Sequence, residues 1–194
     1  MPNDVRISWR SRCHDAWRKG YVAMLEVSQI AKIVLDYSQE TQAHTIGLKR
    51  VTEIGGRADH HSRHDKRINF HEYVSQNAEA VGSEIAVAMY FNIRNFVPTV
   101  NTFKNEADIG SKVEVKWTKY DNGHLIIGAS EREQDVAVLV TGRSPVYLIA
   151  GWFPVQWAKR SKYFNPLDNN FWVNQQDLLP IKDLRKSIYG SSAL

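Results

Sequence analysis

The chain has a single cysteine, Cys13, in 194 residues. It can form no internal disulfide, and a zinc site built on several thiolates is excluded. No apolar run reaches the roughly 18 residues that a membrane-crossing helix needs. Met1 is followed by polar and charged residues with no apolar signal segment. Together these absences lead to the expectation of a soluble, intracellular protein with no membrane partner. Charge of one sign is not in large excess, since 25 Lys and Arg stand against 21 Asp and Glu. A mild basic surplus permits a polyanionic partner without requiring one. No internal repeat or low-complexity tract occurs. What is present is 43% hydrophobic residues with six Trp, eight Tyr and seven Phe, enough for a packed core.

Along the chain, His14 to about Gln39 reads as a helix, with Trp17, Tyr21, Met24, Leu25, Ile30, Ile33, Val34 and Tyr37 at mostly helical spacings. Its apolar stripe needs a partner surface, either the rest of the domain or a second copy in a homodimer. Residues 47–71 change character: Gly55-Gly56 breaks regular structure, and Lys49, Arg50, Arg57, Arg63, Lys66 and Arg67 stand with His60, His61 and His64 against three acids. This segment reads as a solvated loop, either a linker or an arm contacting nucleic-acid phosphates. With no Cys nearby, the histidines suit a surface arm better than a closed zinc site.

A second helix is expected from about Glu72 to Asn92, with Glu84 on the shoulder of its apolar stripe. After Pro98 the period becomes strand-like, in the segments Val97–Phe103, Ala107–Ile109, Val113–Thr118 and His124–Ala129. The turn residues Asp121-Asn122-Gly123 predict a hairpin joining the last two. Ser130 and Glu133 have capping-box spacing, which predicts a helix through Val140. Val146–Phe153 reads as a buried strand and Phe171–Val173 as a last short one. The expected architecture is α/β with a mixed central sheet. Trp117, Trp152 and Trp172 are expected in the core. Trp157, with Lys159, Arg160 and Lys162 just after it, belongs to a basic-aromatic mixture suited to nucleic acid.

The segment Ala107-Asp-Ile-Gly-Ser-Lys-Val-Glu-Val-Lys-Trp117 carries the chemistry. Val113, Val115 and Trp117 alternate with Glu114 and Lys116, so the charged pair shares one strand face. On a straight strand Asp108 and Glu114 would lie about 20 Å apart at ~3.3 Å per residue. A three-residue loop of Gly110, Ser111 and Lys112 would instead set Ile109 opposite Val113 and Asp108 opposite Glu114. Two acids so placed repel one another unless a cation sits between them. Hard carboxylate oxygens suit Mg²⁺, and a neighbouring lysine suits an attacking water or the charge developing on phosphorus. The competing reading is a strand with one wet face.

Asp108, the Glu114-Val115-Lys116 triplet and the preceding helix with Glu84 resemble the PD-(D/E)XK, or restriction-endonuclease-like, nuclease superfamily. The resemblance spans residues 72–153, and Ala107 stands where that family often has proline. It implies an αβββαβ restriction-endonuclease-like core and Mg²⁺-dependent DNA cleavage, with Mn²⁺ able to substitute. Asp108, Glu114 and Glu84 would be metal ligands, Lys116 would attend the attacking water, and Gln134 would reach the site from the second helix. DNA would dock on Lys49, Arg50, Arg57, Arg63, Lys66, Arg67, Lys159, Arg160 and Lys162. The corresponding domain plan is an N-terminal helical extension over 1–46, a basic arm over 47–71, a nuclease core over 72–180 and a tail over 181–194. The alternative is a non-catalytic nucleic-acid-binding or assembly module with an inert site.

Overall fold

The apolar run Val136-Ala-Val-Leu-Val140 lies at the centre of the molecule as strand β4 (Val136–Arg143). In this computed structural model residues 30–53, 68–100 and 106–190 are described. Val136, Val138 and Val140 pack on one side into a core shared with Val81, Ile85 and Ala88. Ala137 and Leu139 pack on the other side with Leu125, Ile127 and Val173. A strand buried on both faces has no polar alternation to display, which is why this run is continuously apolar.

The other elements in chain order are β1 (Ala31–Val34), α1 (Tyr37–Glu53), α2 (Phe70–Tyr90), β2 (Val113–Thr118), β3 (Leu125–Gly128), β5 (Val146–Pro154), α3 (Val155–Ala158), β6 (Phe164–Asn165) and β7 (Asn170–Val173). The main sheet has four strands in the order β1-β5-β4-β2, and β3-β7-β6 form a second, antiparallel sheet. β2 runs parallel to β4, while β5 is antiparallel to both β4 and β1. The main sheet is therefore mixed, and the fold is α/β as expected. Helices α1 and α2 pack closely because a Cβ on Gly47 would come within 2.6 Å of the Ala78 backbone nitrogen.

Several local expectations are corrected. Ala31–Val34 is a strand paired with β5, not part of a helix, and the next helix begins at Tyr37 and runs on to Glu53. Ile33 and Val34 are β-branched, and β5 offers them a ladder; the periodicity from His14 to Gln29 lies outside the described residues. Asp36 Oδ1 accepts from the Gln39 N–H at 2.9 Å, and Gln39 Oε1 accepts from the Asp36 N–H at 2.8 Å. This reciprocal cap starts α1 where it does. The α2 expectation holds within two residues at each end, with Asn69 accepting from the Glu72 N–H as N-cap.

The expected hairpin of β2 with β3 does not form: β2 pairs with β4, and β3 pairs with β7 in the second sheet. The turn at Asp121–Gly123 carries the chain between sheets, because Leu125 and Ile127 fill the core beneath Ala137 and Leu139. The helix expected over 130–140 is replaced by a turn and β4, so the αβββαβ order is not reproduced. Residues 97–100 are irregular, and residues 107–109 contribute only the isolated bridge of Ile109. Among the described residues no helix is long and apolar enough to cross a membrane.

Candidate active site

Gly110, Ser111 and Lys112 form the three-residue reversal on which the sequence reading depended. The Ile109 N–H donates to the Val113 carbonyl at 3.0 Å, and the Val113 N–H donates back at 3.2 Å. Gly110 adopts φ +59°, a left-handed conformation that glycine enters without a Cβ clash. One residue beyond this bridge on either side stand Asp108 and Glu114. Asp108 Oδ2 accepts from the Val115 N–H at 2.7 Å, which ties the loop acid to the strand that carries the glutamate.

Lys116 lies on the same strand face, its Nζ 3.6 Å from Glu114 Oε2 and 3.1 Å from Glu131 Oε1. Glu131 arrives from the turn before β4. Its Oε1 also accepts from the Gly128 N–H at 3.0 Å, and Lys159 holds the turn by donating to the carbonyls of Ala129 and Glu131. Parallel pairing of β2 with β4 sets Val113 beside Val136 and so brings Asp135 to the start of both strands. Asp135 Oδ2 pairs with Arg132 Nε at 2.7 Å. Glu131 Oε2 and Asp135 Oδ1 are buried carboxylate oxygens without a hydrogen-bond partner among the described residues. Asp108, Glu114, Lys116, Glu131, Asp135 and Glu84 all line one open cleft of about 740 Å³.

Burial dominates the electrostatics. It pushes Glu114 up to about 7, with Asp108 adding to the rise and Lys116 opposing it. Asp108 is also raised by burial, against the hydrogen bond from Val115 and the charge of Lys116. For Lys116 burial acts downward, yet Glu131 and Glu114 outweigh it and the ammonium is held above its ordinary value. Asp135 is raised by burial, with Arg132 opposing. Acidic groups concentrated around one ammonium, with their side chains largely buried, resist being charged together.

Glu84 is placed at this site but engaged elsewhere. Arg50 Nη1 and Nη2 reach its two oxygens at 2.7 and 2.8 Å, and Arg50 also donates to the Thr99 carbonyl. Burial raises Glu84, while this guanidinium fork favours its charged form. Arg50, expected on a DNA-binding arm, is instead 6% exposed and sits beneath the cleft. Lys49 is exposed on α1, whereas Arg57, Arg63, Lys66, Arg67 and the three histidines of that segment lie outside the described residues. Gln134 is exposed in the turn before β4 and does not line the cleft, because the helix meant to present it is absent. Lys159 braces the site turn, Lys162 pairs with Asp177 at 3.0 Å, and Arg160 is exposed. Trp157 is half covered, edge-on to Phe153 and Tyr189.

Glu131, Asp135 and the Arg50–Glu84 pairing were missed by the sequence reading. The usable signal was the β-branched run after Asp135, which marks a central strand and places the preceding acids at its mouth.

Among the described residues no three His, Cys, Asp or Glu side chains are gathered into a ready-made metal cage. Mg²⁺ does not demand one, since it retains several waters and binds through one or two carboxylates. Oxygen-only donors and the unpartnered Glu131 oxygen fit such a cation. No protein-family model, curated protein or solved structure matches the chain.

Proposed function

We propose that this protein is a Mg²⁺-dependent deoxyribonuclease of the PD-(D/E)XK type, with Mn²⁺ able to substitute. The observation that carries the reading is the Gly110 reversal, which brings Asp108 and Glu114 onto one cleft wall with Lys116 beside them. The likeness to that superfamily rests on this wall and on the helix carrying Glu84, not on the order of elements.

Asp108 and Glu114 would hold the cation, which when bound supplies Lewis acidity and a more acidic water. The Lys116 ammonium would orient the attacking water and offset charge building on the phosphoryl oxygens. Glu84, committed to Arg50, supports the cleft floor. The open cleft leaves room for a phosphodiester strand against this wall.

One observation favours a second reading, a non-catalytic nucleic-acid-binding module. Lys116 already pairs with both Glu114 and Glu131, as in an inert ion-pair cluster. Cleavage of plasmid and labelled linear DNA with Mg²⁺, Mn²⁺ or EDTA separates the two, run beside Glu114→Ala and Lys116→Ala. Metal-dependent cutting that both substitutions abolish supports the nuclease. No cutting of duplex, single-stranded or branched DNA, and no Mg²⁺ or Mn²⁺ bound by calorimetry, supports the inert module.

A further inference from the structure

A second cleft of about 790 Å³ opens beyond the carboxylate wall, and Val115 and Lys116 line both. The carboxylate side is walled by acids. The second cleft is lined instead by aromatic rings and cations. Trp172 and His124 meet there with ring centroids 5.4 Å apart. Tyr120 is 61% exposed at the mouth, with the Lys119 ammonium 5.4 Å from its ring centroid. Arg143, exposed at the end of β4, also lines it, at the same end of the parallel β2–β4 pair as Lys119 and Tyr120. Glu72 and Glu79 also border the cleft, but Glu79 is occupied in accepting from the Ser144 N–H and the Tyr147 hydroxyl.

We propose that this second cleft is a single-stranded DNA subsite, in which unpaired bases stack on Tyr120 and the His124–Trp172 pair while Lys119 and Arg143 contact the flanking phosphates. The inference rests on the nuclease reading, because continuity through Lys116 makes the two clefts one track for a strand. Aromatic faces select unpaired bases: in a duplex those faces are already stacked and turned inward, so a ring can reach only the edges. Cations beside the rings add the backbone attraction that any such strand needs. The implied substrate class is DNA with a single-stranded segment next to the scissile phosphate.

The test is fluorescence anisotropy of a labelled oligothymidylate and of a duplex of equal length, with the full chain in EDTA. Tyr120 and Arg143 are both exposed, so Tyr120→Ala/Arg143→Ala should fold, which circular dichroism checks. The expected result is tighter binding of the single strand than of the duplex, and at least tenfold weaker single-strand binding by the double variant. Lys119→Glu should also weaken it, while Lys182→Ala, at an exposed lysine outside both clefts, should not. Equal affinity of wild type and double variant for the single strand, or preference for the duplex, overturns the subsite. Because the assay contains no divalent metal, binding without any cleavage in Mg²⁺ would sink the nuclease reading and leave the subsite standing. Cleavage with unchanged binding by the double variant would sink the subsite alone.

Discussion

Arg50 of α1 holds both carboxylate oxygens of Glu84 of α2, at 2.7 and 2.8 Å, in a pair that is almost fully buried. Removing one partner strands a charge with little water to solvate it. Arg50→Ala or Glu84→Ala should therefore lower unfolding free energy by about 3–5 kcal/mol. The double replacement Arg50→Met/Glu84→Leu should recover most of that loss, because no uncompensated charge remains. Urea denaturation of the four proteins measures the cycle. If the single variants cost no more than the double, the pair is not the buried link between these helices.

Gly110 decides whether Asp108 can face Glu114. Its φ of +59° costs an ordinary L-residue roughly 1–2 kcal/mol. Gly110→Val should destabilise by about that much and disturb the acid pair, so that cleavage falls further than stability does. Gly110→Asn should be much milder, since Asn92, Asn95 and Asn169 already adopt positive φ in this chain. Paired denaturation and nicking assays check this. Equal tolerance of Val and Asn would show that the reversal does not organise the site.

Two similar strings show how far the sequence could be read. Asp36-Tyr-Ser-Gln39 and Ser130-Glu-Arg-Glu133 both have capping-box spacing, yet only the first caps a helix. The residues beyond each string decide the outcome. After Gln39 comes a mixed polar-apolar text whose stripe packs against α2, while after Glu133 comes Val136-Ala-Val-Leu-Val140, whose alternate residues fill two different cores. A cap is worth about 1 kcal/mol, so burial on both faces of a strand outweighs it. The Asp108–Glu114 reversal was legible because a glycine and a short loop determine it locally. Glu131 and Asp135 were harder to place, because the run after Asp135 marks a central strand while the parallel pairing that brings these acids to Asp108 and Glu114 has no local signature. Arg50 was misassigned for a related reason: charge alone does not tell a solvated arm from a buried clamp.

Acidity should stabilise the metal-free protein. Glu114 is raised from 4.5 to about 7, and Asp108 is raised as well, so the folded state binds their protons more tightly than the unfolded chain does. Between those two values the folded state carries the larger proton count, and stability must fall as pH rises. In EDTA the Tm should therefore drop from pH 5 toward pH 7 through these groups and then level off. Glu114→Gln should flatten the slope. Added Mg²⁺ should raise Tm more at pH 8 than at pH 5.5, because protons compete for the same oxygens. A Tm that rises steadily with pH in EDTA, unchanged by Glu114→Gln, would mean that these carboxyls ionise freely in the fold.

Lys116 separates a catalytic cluster from an inert one. Its ammonium sits 3.1 Å from Glu131 and 3.6 Å from Glu114, close enough to serve either as their permanent counter-ion or as a group freed for substrate. If it is only a counter-ion, Lys116→Met should lower stability at pH 8, and Lys116→Arg, which keeps the charge, should restore it. If it acts on the phosphate or its water, Lys116→Met should reduce the cleavage rate by about 10²–10³, the usual cost of losing one donor to developing charge. Lys116→Arg would then remain impaired, since a planar fork on a longer stem cannot place a point charge at the same spot. Single-turnover cleavage beside thermal unfolding reads the two roles separately. Full rescue of cleavage by Arg would reduce Lys116 to charge balance and leave Asp108 and Glu114 to carry the site alone.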